Sequence, residues 1–130
     1  KALLAVLKNH PEHHDARFML ALSRVQQGRA ADAAVIVDDL LADHPDDEAA
    51  LLLAAGAYAT NGHYSKAMDA LDKAMKANPR RPDGYLDMAW LLLEMKPNDV
   101  SEAEMYYRQS VKLGGARDRD IERRLGIKAE

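Results

Sequence analysis

The 130 residues are 48% apolar and 30% charged, with a formal net charge of −3 and no cysteine. A chain of this size buries roughly two-thirds of the surface its unfolded form exposes, enough for one domain. The composition excludes disulfides and thiolate metal sites. It offers no basic stripe for nucleic acid and no run of about 20 apolar residues to enter a membrane.

Alanine and leucine abound while aromatics are only 5%, a balance that favours helices because few β-branched runs compete. In chain order, Lys1 falls inside an apolar helical run, so the expectation is a piece excised from a longer protein. Residues 1–11 read as a second helix that lacks its first, with Leu3, Val6 and Leu7 in the places later taken by Val37, Leu40 and Leu41. Helices are then expected over Asp15–Gln27, Ala30–Asp43, Asp47–Asn61 and Tyr64–Asn78. Pro82 suits the first turn of a helix running to Met95, where its missing N–H is not needed. Asp99-Val100-Ser101-Glu102 predicts a capping box for a helix to Leu113, ended by Gly114 and Gly115. Asp118–Leu125 is a last short helix stopped by Gly126. Ile121 and Leu125 would dock it, leaving Arg119, Glu122, Arg123 and Arg124 to water.

The elements repeat. Pro11, Pro45 and Pro79 are 34 residues apart, as are Gly28 and Gly62, and Ala33 and Ala67. Ala103 follows Ala67 at 36, which places two extra residues near Lys96-Pro97-Asn98-Asp99. The central copy has Tyr58, Gly62, Tyr64, Ala67, Leu71, Ala74 and Pro79. The copy before it has Leu20, Ala21, Gly28, Ala30, Ala33, Val37, Leu40 and Pro45, and the copy after it Tyr85, Met88, Ala89, Leu92, Ala103, Tyr107 and Ser110. This pattern resembles the tetratricopeptide repeat family over nearly the whole chain. It departs from it at Arg24, where an aromatic is usual, and in the third copy, which lacks the turn glycine and the closing proline. The resemblance implies an all-α, right-handed superhelical solenoid of antiparallel helix pairs in a single domain. Its parts would be a leading half-repeat at 1–11, repeats at 12–45, 46–79 and 80–115, and a capping helix and tail at 116–130.

Each first helix carries a stripe beyond the one that meets its second helix. It reads Asp15, Phe18, Leu22, Val25 in the first copy, Ala49, Leu52, Gly56, Ala59 in the central one, and Asp83, Leu86, Trp90, Leu93 in the third. The resemblance assigns this stripe to a concave groove, with Asp15, Gln26, Asp83 and Glu94 at the rim. A helix apolar on so much of its surface wants burial on two sides. The groove is therefore expected to take an apolar peptide or amphipathic helix, Gly56 leaving a hollow in its floor; the competing reading is that neighbouring first helices bury the stripe mutually. The basic residues with which some family members clamp a C-terminal carboxylate are absent from these places. The expected role is a non-catalytic interaction module with a protein or peptide partner, without nucleic acid, membrane insertion or cofactor. The alternatives are a structural spacer, self-association into a homodimer through Leu4 and Leu7 of the truncated helix, or the substrate-recruiting domain of an enzyme.

Two further features invite chemistry. His10, His13, His14 and His44 fall where two loops could meet, but no ligand pattern is complete and no metal is expected. Asp38, Asp39, Asp43, Asp46, Asp47 and Glu48 read as a solvated acidic stretch, with Asp46 to Glu48 suited to a helix N-terminus. No phosphate loop, nucleophile elbow or zinc-protease motif is present.

Overall fold

The computed structural model describes residues 13–127, and every regular element among them is a helix. These are α1 (His14–Gln26), α2 (Ala30–Asp43), α3 (Glu48–Thr60), α4 (Tyr64–Ala77), α5 (Pro82–Met95), α6 (Ser101–Lys112) and α7 (Arg119–Leu125). The helix expected over 1–11, with Leu4, Leu7 and His10, lies outside the described residues.

The helix starts follow from their caps. His13 Nδ1 accepts the Ala16 N–H at 3.1 Å, and Asp47 accepts the Ala50 N–H at 3.1 Å. Asp118 accepts from both Asp120 and Ile121. Each satisfies a donor that the first helical turn cannot. The expected capping box at Asp99 does not form. Val100 takes the cap position, so Glu102 stands one residue too early to reach back and pairs with Lys96 at 3.3 Å instead. Asp99 accepts the Ser101 N–H at 3.3 Å and its hydroxyl at 2.5 Å.

Two kinds of turn reverse the chain. After α1 the Gly28 N–H bonds to the Val25 carbonyl and the Arg29 N–H to that of Arg24; after α3 the Gly62 N–H bonds to Ala59 and the His63 N–H to Tyr58. This pair of hydrogen bonds closes a helix on a left-handed residue, and Gly28 and Gly62 supply it at φ 76° and 80°. The second kind has proline as its second residue. The carbonyls of His44, Asn78 and Lys96 accept the N–H three residues on, at 3.2, 3.3 and 3.2 Å. In the first two repeats the glycine turn joins the paired helices and the proline turn separates repeats. The third repeat exchanges them: Pro97 follows its first helix, and the glycine turn, with Gly114 bonded to Val111 and Gly115 to Ser110, follows its second. The two inserted residues accompany this exchange.

The structure divides between Ala74 and Met75 into two compact units, with α4 carrying the division. In the first, α1 packs on α2, α2 on α3, and α1 more lightly on α3. Ala21, Ala33, Val37, Leu40, Ala50, Leu51, Ala54 and Tyr58 form its core, and Ala67 is fully buried. In a close-packed interior a larger side chain at such an alanine must displace its neighbours. Ala67→Leu is expected to lower stability by roughly 2 kcal/mol through overpacking. An unchanged urea midpoint would show that α4 is not packed through this face.

In the second unit α5 lies on α6, and α7 touches both. Met88, Ala89, Leu92, Ala103, Tyr107 and Ile121 are buried. The end of α6 comes close to the start of α5 at Gly115. A Cβ there would stand 2.6 Å from Ser110 Oγ, 2.8 Å from the Ser110 carbonyl oxygen and 2.9 Å from Pro82 Cβ.

Candidate functional site

On α1, Phe18, Leu22 and Val25 are half-buried, and Asp15 and Gln26 are exposed. Met19, beside Phe18 on the helix, is 48% exposed. On α3, Leu52 and Ala59 are half-buried and Gly56 is open; a Cβ at Gly56 would meet no atom within 4 Å. The first unit thus keeps large apolar side chains partly in water along two first helices.

On α5, Asp83, Leu86 and Trp90 are half-buried. Leu93 is only 1% exposed, so it belongs to the core and is withdrawn from the expected surface. Glu94 at the rim is exposed. The capping helix reaches this stripe. Arg124 of α7 lies with its guanidinium carbon 5.9 Å from the Trp90 ring centroid, donates to the Leu93 carbonyl at 3.0 Å and pairs with Glu94 at 3.2 Å. Arg124 does not simply face water as expected. Asp87, absent from the expected site, lies one turn after Asp83 on the same helix. Solvent reaches the residue, yet enough protein surrounds the carboxyl that desolvation, and then the like charge of Asp83, pushes it up to about 6. The i, i+4 spacing from Asp83 was the signal that could have placed it on the stripe.

Glu122 overturns another expectation. Rather than facing water it is buried. It accepts the Tyr107 hydroxyl at 2.5 Å and two guanidinium N–H groups of Arg117 at 2.7 and 3.1 Å. Arg117 and then Tyr107 hold its carboxyl below the usual range. The Tyr107 oxygen also accepts the Asp118 N–H at 2.9 Å. A cavity of about 400 Å³ opens beside this network, lined by Tyr107, Arg108, Val111, Lys112, Arg117, Glu122 and Ile127.

The acidic stretch is also more engaged than a solvated face. Asp38 accepts the Tyr58 hydroxyl, and Lys66 of α4 lies 4.6 Å from the centroid of that ring. Burial, then Asp38, raises the Tyr58 phenol well above its ordinary value. Asp43 pairs with Arg17 at 2.7 Å. Asp47 bonds to His14 Nε2 at 2.5 Å, and the His14 and His44 rings meet edge to face at 4.3 Å. Burial pushes the Asp47 carboxyl up, but the Ala50 N–H and His14 more than offset this and leave it below its ordinary value. Of the four histidines, His14 and His44 meet, and His10 lies outside the described residues. Among the described residues no group of three His, Cys, Asp or Glu side chains is arranged to hold a metal.

A family model described as tetratricopeptide repeat matches residues 1–40 and 18–82. The chain belongs to the tetratricopeptide repeat family. The match stops where the third repeat begins, the copy whose turns are exchanged. Solved structures extend the likeness across it. MamA superposes with a TM-score of 0.78 at 19% identity over 87% of this chain and 65% of its own. TTC0263, a thermophilic tetratricopeptide repeat protein of Thermus thermophilus, gives 0.74 at 21% over 86% and 62%. The Yersinia enterocolitica type III secretion translocator chaperone SycD gives 0.77 at 18% over 87% and 89%. At these identities the likeness shows the fold, and the chain spans less than two-thirds of the length of MamA and TTC0263. No curated protein sequence matches the chain. The all-α architecture of tetratricopeptide helix pairs expected from the 34-residue period is therefore established. No helix among the described residues is long and apolar enough to cross a membrane.

Proposed function

We propose that this tetratricopeptide repeat protein is a non-catalytic interaction module whose first-helix stripes take an apolar peptide or amphipathic helix. Tetratricopeptide repeats serve as protein-interaction modules, and SycD, similar in fold, is a chaperone of translocator proteins. The observation that carries the reading is the partial exposure of Phe18, Met19, Leu22 and Leu52 in the first unit, and of Leu86 and Trp90 in the second, on first helices whose other faces are already buried. Apolar side chains scattered singly need no explanation, but a run of them along helix faces, with an aromatic anchor, marks a docking surface. Asp15 and Gln26 on α1, and Asp83 and Glu94 on α5, would orient a segment held on their own helix. Leu93 is not part of the surface.

The test is calorimetric titration of the 130-residue chain with amphipathic helical peptides, paired with backbone amide shift mapping. Shifts are expected at Phe18, Leu22, Leu52, Leu86 and Trp90. Trp90→Ala is expected to weaken binding by about 2 kcal/mol or more, the loss typical of a central aromatic anchor. Unchanged affinity, with the helical content intact, would remove the stripe from the interface.

A further inference from the structure

We propose that the segment bound on α5 is basic as well as apolar, presenting Lys or Arg side chains to Asp87 beside the residues that cover Leu86 and Trp90. The inference rests on the stripe being a docking surface and names the chemistry of its occupant. On α5 the stripe carries the carboxylates of Asp83, Asp87 and Glu94 and no Lys or Arg of its own; Arg81 and Arg124 reach Asp83 and Glu94 from outside it. An apolar surface whose one unpaired charge is a carboxylate selects the complementary sign in its partner and repels its own.

The arrangement on α5 is specific. Asp83 is paired with Arg81 at 3.0 Å. Asp87 has no ion pair or hydrogen bond among the described residues, although its helix positions place it within a turn of Asp83 and of Trp90. One turn further on, the chain supplies a cation of its own: Arg124 meets the Trp90 ring, the Leu93 carbonyl and the Glu94 carboxylate together. That contact set shows what α5 offers a guanidinium. Asp87, earlier on the same helix, offers a carboxylate that no such cation meets among the described residues. The raised carboxyl there agrees, since a charge disfavoured by its surroundings gains most from an arriving counter-charge.

Trp90 is the only tryptophan, so its fluorescence reports on this face directly. The probes are an amphipathic helical peptide of leucine and lysine, and the same peptide with glutamate in place of lysine, each titrated into the full chain near physiological salt. The lysine peptide is expected to bind at least about tenfold more tightly than the glutamate one. Asp87→Asn is expected to weaken the lysine peptide about tenfold. Asp39→Asn, which makes the same charge change at an exposed site on α2, is expected to leave it within about twofold. Equal affinity for the two peptides, or equal behaviour of the two variants, overturns the basic partner and leaves the apolar docking surface standing. No response to either peptide overturns both.

Discussion

Tyr107→Ala is expected to destabilise the chain by about 4 kcal/mol, and Tyr107→Phe by about 2 kcal/mol. The larger loss combines a buried aromatic ring with its hydroxyl; Tyr107 is only 2% exposed. The smaller isolates the hydroxyl, which donates to the Glu122 carboxylate and accepts the Asp118 N–H. Hydrogen bonds to charged groups exceed the average, and the Asp118 N–H is left without its acceptor. Urea denaturation of both variants separates the two contributions. A Phe variant as stable as wild type would mean that the network does not hold α7 in place. The pH dependence has a defined sign. The folded-state pKa of Glu122 is depressed from its ordinary 4.5, so its contribution is present above that value and lost as pH falls through the depressed one. The gap between wild type and Tyr107→Phe is therefore expected to be wide near neutrality and to narrow in acid.

Gly115→Ala is expected to lower stability by about 3 kcal/mol, the upper end for a single added methyl, because two of its obstacles cannot yield. The Ser110 carbonyl oxygen belongs to the backbone of α6, and Pro82 Cβ to a ring fixed at the start of α5. Only the Ser110 hydroxyl can move away. Combining the substitution with Ser110→Ala therefore restores little of the loss. Full recovery in the double variant would show that the hydroxyl alone blocks the methyl, and that α6 does not approach α5 through its backbone here. Thermal melts of the three variants decide it.

Most of the fold was legible because repetition over-determines it. The prolines at intervals of 34 and the matched alanines place six of the seven described helices to within a residue or two of their ends. What escaped were contacts that no period encodes. Glu122, within the charged run from Asp118 to Arg124, reads as solvated; its partners Arg117 and Tyr107 are 5 and 15 positions away and meet it only because α7 folds onto α6. Asp38, Asp43 and Asp47 likewise find Tyr58, Arg17 and His14 through packing of neighbouring helices. At the site, the stripe was set by helical periodicity, which distinguishes faces but not depth. It therefore included Leu93, which is buried, and passed over Asp87, the neighbour of Leu86.

The exchange of turns in the third repeat alters what the unfolded chain must give up. Its paired helices are joined by five residues, Lys96 to Val100, where the first repeat uses three, Gln27 to Arg29. Closing the longer connection costs about 0.5 kcal/mol more in chain entropy, from the logarithm of the two lengths. Glycine turns surrender the most backbone freedom on folding, whereas a proline has little to surrender, a difference on the order of 0.5–1 kcal/mol. Placing Pro97 in the longer connection thus offsets the entropy its extra length would lose.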